Sequence, residues 1–192
     1  QTIYGAPSTI YGMYRNASVQ ALVTGRNTIT GSTTASTPVA IMDTGIDKSH
    51  ADLFVVYEQD FTNGGANNNP SDNDGHGTHL AGIIGAIDQS AGAGVVGVYP
   101  GAPLYNLKVV GKTSDLDPLV AGNTQDVYDA LTFVIANAGS IRVCLMSFET
   151  AAIDANMNAL VDAAGNAGVL MVVAAGNNGP GTKFLNISPA SA

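Results

Sequence analysis

Asp43 and His76 are the two side chains whose types suit acid–base chemistry. Asp43 ends the apolar run Val39-Ala40-Ile41-Met42, and His76 stands between Gly75 and Gly77 at the start of a helical pattern. An imidazole acts as a general base when a carboxylate fixes its tautomer and stabilises the imidazolium that forms. Each residue alone also has a plainer use. A carboxylate before Thr44-Gly45 suits a turn or a helix cap, and a lone histidine at a helix start suits a cap or a packed core. The glycines flanking His76 shift the weighting, because they let backbone approach a ring that must face both a carboxylate and a substrate. Asn177, between Gly176 and Asn178-Gly179, has an amide that can donate to a developing charge, and equally suits a left-handed turn.

Two other patterns are set aside. His76-x-x-His79 has a spacing compatible with zinc on one helix face, but no glutamate of a metalloprotease motif accompanies it. Gly92-Ala93-Gly94-Val95-Val96-Gly97 fits a dinucleotide-binding string. It follows a helical pattern and precedes Pro100-Gly101-Ala102-Pro103, the reverse of the strand-then-helix context that such a site needs.

The elements that must position these groups read as α/β. Apolar β-rich runs occur at Val39–Met42, Leu104–Val110, Arg142–Ser147 and Val169–Ala174. Helical spacing links Leu80, Ile83, Ile84 and Ile87, then Val127, Ala130, Leu131, Val134, Ile135 and Ala138 up to Gly139. A third set, Ile153, Met157, Leu160, Val161 and Ala164, runs to Gly165 or Gly168. A short helix capped by Asn16 and stopped at Gly25 is also expected, and Thr62 to Asp74 reads as a surface loop. Strands alternating with helices predict right-handed crossovers and a mainly parallel sheet covered on both faces. In such sheets ligands sit beyond the carboxyl ends of the strands, where Asp43, Ser147 and Asn177 all fall.

Composition narrows the class. The chain has 192 residues, enough for one domain; 45% are hydrophobic and 11% charged, which favours a packed globule. The net charge of −8 comes with scattered basic residues, which argues against nucleic acid, and no apolar run is long enough for a membrane span. Cys144 is the only cysteine, so an internal disulfide is excluded, and its setting Arg142-Val143-Cys144-Leu145-Met146 reads as buried.

Three strings, Val39-Ala40-Ile41-Met42-Asp43-Thr44-Gly45, His76-Gly77-Thr78-His79-Leu80-Ala81-Gly82 and Val172-Val173-Ala174-Ala175-Gly176-Asn177, resemble the aspartate, histidine and oxyanion-asparagine segments of subtilisin-like serine proteases, in order. The connectors agree: Ile46-Asp47 with His50-Ala51-Asp52-Leu53, Gly97-Val98-Tyr99-Pro100 with Leu107-Lys108-Val109-Val110-Gly111, and Leu145-Met146-Ser147-Phe148. The resemblance spans the chain, as the N-terminal larger portion of one peptidase domain comprising residues 1–192. It implies a serine endopeptidase in which Asp43 orients, His76 is the base and Asn177 stabilises the oxyanion. It implies that Ser147, Phe148, Glu149, Ala174 and Gly176 line a cleft for a peptide or protein substrate. Glu149 replaces a glycine usual in the family, either narrowing the cleft or favouring basic substrate side chains, or else pointing to solvent.

The family's nucleophile string, of Gly-Thr-Ser-Met-Ala type, is expected beyond Asn177, where fifteen residues remain with only Ser188 and Ser191. The sheet is thus expected to be incomplete in this chain, with the serine on a companion chain or a missing C-terminal segment. The rival expectation is a serine-less scaffold that binds or inhibits peptides without hydrolysis. The resemblance further implies export, to the extracellular space or to a vacuolar or secretory compartment, and maturation from a zymogen. It also implies a structural calcium ion near Gln1, Asp52, Gln89 and the loop Ile87 to Val95; the alternative there is a solvated turn with Asp52 as a helix cap. No organic cofactor is implied.

Overall fold

The computed structural model describes residues 37–66, 68–87, 96–112, 121–176 and 188–192. The expected helix over Asn16 to Gly25, and Gln1, Gln89, Asn177 and most of the Gly92–Gly97 string, lie outside these residues.

Five strands form one wholly parallel sheet: β1 (Val39–Asp43), β2 (Phe54–Asp60), β3 (Pro103–Lys108), β4 (Val143–Met146) and β5 (Leu170–Val173), in the order β2-β3-β1-β4-β5. Helices α1 (His76–Gly85), α2 (Thr124–Ala136) and α3 (Ala155–Asn166) connect them. Alternation along β1 divides the interior. Ala40 and Met42 join Leu131, Val134, Cys144, Met146, Met157 and Val161 in the larger core under α2 and α3. Val39 and Ile41 join Ala81, Ala102 and Leu104 in a smaller core under α1. The sheet is therefore covered on both faces, as a parallel sheet requires. Burial also pushes the Cys144 thiol up to about 12, so it behaves as a small apolar residue in the larger core.

Four of the five strands coincide with the apolar runs, though β3 ends at Lys108 and β4 at Met146. β2 is the element the sequence reading lacks. Its residues Phe54-Val55-Val56-Tyr57-Glu58-Gln59-Asp60 carry polar groups in the second half, because it is the edge strand of the sheet among the described residues. Tyr57 fixes it: its ring stacks on Tyr105 of β3 at 5.2 Å and on Phe133 of α2 at 5.1 Å.

The buried face of α1 also differs from expectation. Gly77, Ala81 and Gly85 face the sheet, while Ile83 is 51% exposed and Ile87 lies beyond the helix end. Small residues let this helix sit unusually close to the strands. A Cβ on Gly77 would meet the Gly45 carbonyl oxygen at 2.1 Å, and one on Gly85 would meet Ala102 at 3.3 Å. In α2 the expected face is the buried one. In α3 the face is Met157, Val161 and Ala164, whereas Ile153 precedes the helix and is exposed.

Candidate active site

The parallel sheet brings the carboxyl ends of β1, β4 and β5 side by side. β1 is central, with the chain moving to β2 and β3 on one side and to β4 and β5 on the other, so its end is a switch point where ligands bind in open α/β sheets. Asp43 is the last residue of β1. Ser147 directly follows β4, and Ala174 follows β5, its N–H donating to the Met146 carbonyl at 3.0 Å.

His76 is the first residue of α1, and its Nδ1 lies 2.7 Å from Asp43 Oδ1. The Asp43 side chain is 2% exposed and the His76 ring 47%. One partner is thus locked inside the fold while the other presents an edge to solvent. Burial raises the Asp43 pKa above its ordinary value, although the hydrogen bond from His76 and the Thr44 N–H at 2.8 Å oppose that shift. An ionised carboxylate on Oδ1 calls for Nδ1 to carry the proton, which leaves the lone pair of the neutral ring on Nε2.

A second polar cluster holds this pair, and the sequence reading passed over it. Thr44 Oγ1 donates to Asp72 Oδ1 at 2.8 Å and accepts the Gly77 N–H at 2.9 Å. Asp72 Oδ1 also accepts the N–H groups of Asp74 at 3.0 Å and Gly75 at 2.8 Å. Its Oδ2 accepts the Thr78 N–H at 2.9 Å and the Thr78 hydroxyl at 2.6 Å. Burial on its own would raise the Asp72 pKa. The Thr78 hydroxyl and the three backbone donors outweigh it and hold the carboxyl below its ordinary range. The signal in the sequence was an aspartate four residues before His76 and a threonine two after, a helix-start pattern.

The loop between β2 and α1 is also tied from below. Asn106 Nδ2 donates to the Pro70 carbonyl at 2.9 Å and Lys108 Nζ to the Ser71 carbonyl at 2.6 Å. Gly45 closes the arrangement with φ 109°; a Cβ there would meet Pro70 and Ser71 backbone within 2.8 Å.

The residues expected to line a cleft gather at the same sheet edge. Ser147, Phe148, Glu149, Ala174 and Gly176 are all half-buried. Phe148 packs on the larger core, and Glu149 Oε2 is shielded from solvent, against a fully solvated side chain.

The two candidate serines near the C-terminus have other duties. Ser188 is fully buried: its hydroxyl donates to Asn158 Oδ1 at 2.6 Å and accepts the Asp154 N–H at 2.8 Å. Ser191 Oγ accepts from Asn158 Nδ2 at 2.8 Å. Both tie the segment 188–192 to α3. Among the described residues no group of three His, Cys, Asp or Glu side chains is arranged to hold a metal, and no helix is long and apolar enough to cross a membrane.

The sequence profile of the subtilase family matches residues 34–191. The chain belongs to the subtilase family. Among curated subtilases it is similar to subtilisin Savinase of Lederbergia lenta, 35% identical over 179 residues, covering 92% of this chain and 59% of that protein. It is similar to the thermostable alkaline protease of Halalkalibacterium halodurans, 38% identical over 143 residues, covering 73% of this chain and 36% of that one. Among solved structures, sphericase superposes with a TM-score of 0.69 at 32% identity, over 84% of this chain and 53% of its own. The chain thus spans 36–59% of the length of the curated relatives named.

Proposed function

We propose that this chain is the aspartate- and histidine-bearing part of a subtilisin-like serine endopeptidase domain, with the nucleophilic serine supplied by a segment outside these 192 residues. The observation that carries it is the 2.7 Å contact between buried Asp43 and half-exposed His76 at the sheet's switch point. Asp43 keeps the Nδ1–H tautomer and stabilises the imidazolium. His76 Nε2 removes the serine proton as it attacks the peptide carbonyl and returns it to the leaving amine. Asn177 donates to the oxyanion; loss of such a donor costs about 10²–10³ in turnover, a figure measured on subtilisin itself. The backbone of Ser147, Phe148 and Glu149 pairs with an extended substrate, and Ala174 and Gly176 form the facing wall. The engagement of Ser188 and Ser191 with α3 supports a nucleophile from elsewhere.

The same reading includes export from the cell and maturation from a longer precursor. It includes a structural calcium ion held by Gln1, Asp52 and Gln89. The observation bearing on calcium is that the Asp52 carbonyl accepts the Ile87 N–H at 3.0 Å, which places Asp52 at the entry of the loop starting at Ile87. Carboxylate, amide and carbonyl oxygens are the donors calcium takes, and the ion would supply a cross-link between that loop and the N-terminus.

A serine-directed fluorophosphonate applied to purified protein, followed by mass spectrometry, tests the proposal. Labelling of a serine in a companion segment, abolished by His76→Ala, supports it. Peptide binding with no labelled serine in any active-looking preparation points instead to the non-hydrolysing scaffold.

A further inference from the structure

Asp43 and His76 come from different elements, 33 residues apart, so their contact depends on how the end of β1 meets the start of α1. Four groups close a ring there. The Thr44 N–H and His76 Nδ1 both reach Asp43 Oδ1, at 2.8 and 2.7 Å, and the Gly77 N–H, adjacent to His76, reaches Thr44 Oγ1 at 2.9 Å. Thr44 is 1% exposed, so water does not substitute for these partners. Its hydroxyl has one proton to give and must receive Gly77, which fixes the direction of that proton. The acceptor on that side is Asp72 Oδ1, at 2.8 Å.

We propose that Asp72 is a positioning residue for the Asp43–His76 pair. By accepting the Thr44 proton it holds that hydroxyl oriented toward the Gly77 N–H, and through Gly77 it seats the His76 ring on Asp43. The inference rests on the reading of Asp43 and His76 as the working pair. Ordinary helix capping accounts for only part of what Asp72 does: Gly75 and Thr78 are cap donors, whereas Thr44 belongs to the strand side. Asp72 is also an acceptor on both oxygens and receives five donors in all. Asparagine cannot match this, because its amide must set an N–H against either the Thr44, Asp74 and Gly75 donors or the Thr78 donors.

The test reads the ring directly and needs no turnover. In full-length protein carrying ¹⁵N-histidine, the His76 Nδ1–H proton is observed by NMR and assigned by its loss in Asp43→Ala. Asp72→Asn and Thr44→Val are expected to speed its exchange with solvent by about tenfold or more, since the contact then opens more often. Thr44→Ser, which restores the hydroxyl, is expected to return exchange to the parent rate. Asp154→Ala removes a cap on the distant helix α3 and serves as a control for general destabilisation; it is expected to lower the melting temperature and leave this proton unchanged. Parent-like exchange in both Asp72→Asn and Thr44→Val overturns the proposal. So does the absence of a slowly exchanging His76 Nδ1–H in the parent, or equal acceleration by Asp154→Ala. Failure of fluorophosphonate labelling would remove the peptidase reading and leave this result standing. In a preparation that turns over substrate, Asp72→Asn is expected to lower kcat by about ten- to a hundredfold with KM little changed.

Discussion

Asp43 stays ionised at a cost. Because burial sets its folded pKa above the ordinary 3.8, the buried carboxyl favours the folded state while it is protonated, and that contribution is lost as pH rises through the folded pKa. Asp43→Asn removes the titration while keeping the shape. Its melting temperature relative to the parent is therefore expected to climb from pH 3 toward neutrality, within the window above 3.8, as calorimetry across pH would show. Activity moves the other way: the matching change in an unrelated serine protease lowers turnover about 10⁴-fold. Flat relative stability across that pH range would contradict the assigned direction. Gly77 is a second residue where one atom decides. A methyl group there would have to displace the Gly45 carbonyl, 2.1 Å away, and that carbonyl belongs to the turn following Asp43 and Thr44. Gly77→Ala is expected to cost about 1–3 kcal/mol in urea unfolding, as overpacking does, and to lower activity beyond what lost stability explains.

At the scale of elements, what was legible in the sequence depended on who the neighbours are. The buried face of α2 is legible because Val127, Leu131 and Val134 are sizeable apolar side chains at helical spacing, with Ala130 between them, packing into the larger core. α1 is legible only in part: Ile84 packs on the smaller core as its spacing predicts, but the fully buried face is Gly77, Ala81 and Gly85, and hydrophobic periodicity gives glycine no weight where it permits the closest approach. β2 was missed because an edge strand needs only one partner, so Glu58 and Gln59 break the apolar run that marks an inner strand. Of the candidate site, Asp43 and His76 were legible from residue type and flanking glycines. The clamp of Thr44, Asp72 and Thr78 was not, since its parts lie in three segments that only the folded sheet edge brings together. Caps are a cheaper check on the elements. Asp154 Oδ1 accepts the Met157 N–H at 2.9 Å, while its Oδ2 accepts the Tyr128 hydroxyl at 2.6 Å, joining α3 to α2. Asp154→Ala is expected to lower stability by about 1–2 kcal/mol. The hydrogen bond from Tyr128, followed by the Met157 N–H, holds the carboxyl below its ordinary value, so this contribution is present above pH 3.8 and fades as acid protonates it. Equal stability of variant and parent at neutral pH would dismiss the cap.

For the whole molecule, two cores on opposite faces of one sheet make the machinery at the sheet edge depend on both. The smaller core beneath α1 is built from few residues, Val39, Ile41, Ile46, Ala81, Ala102 and Leu104, and α1 carries His76. A link from the far end of α1 back to the loop before β2 therefore matters more than its single hydrogen bond suggests. The Asp52 carbonyl to Ile87 N–H contact, 3.0 Å, is that link, and the proposed calcium ion would reinforce it with oxygen ligands from Asp52, Gln89 and Gln1. An ion that binds the folded chain and ignores the unfolded one stabilises by mass action, about 2.7 kcal/mol at a hundred times its Kd. The melting temperature is then expected to rise progressively with added calcium and to fall on chelation. Asp52→Asn should blunt that response while leaving the main-chain bond to Ile87 in place. Magnesium should be a poor substitute, because it is smaller, holds its water tightly and demands octahedral geometry from its ligands. A melting temperature that ignores chelator and calcium alike would remove the ion, and that end of α1 would be held by main-chain contacts, the one from Ile87 to Asp52 and those that Gly97, Val98, Tyr99 and Gly101 donate to its last turn.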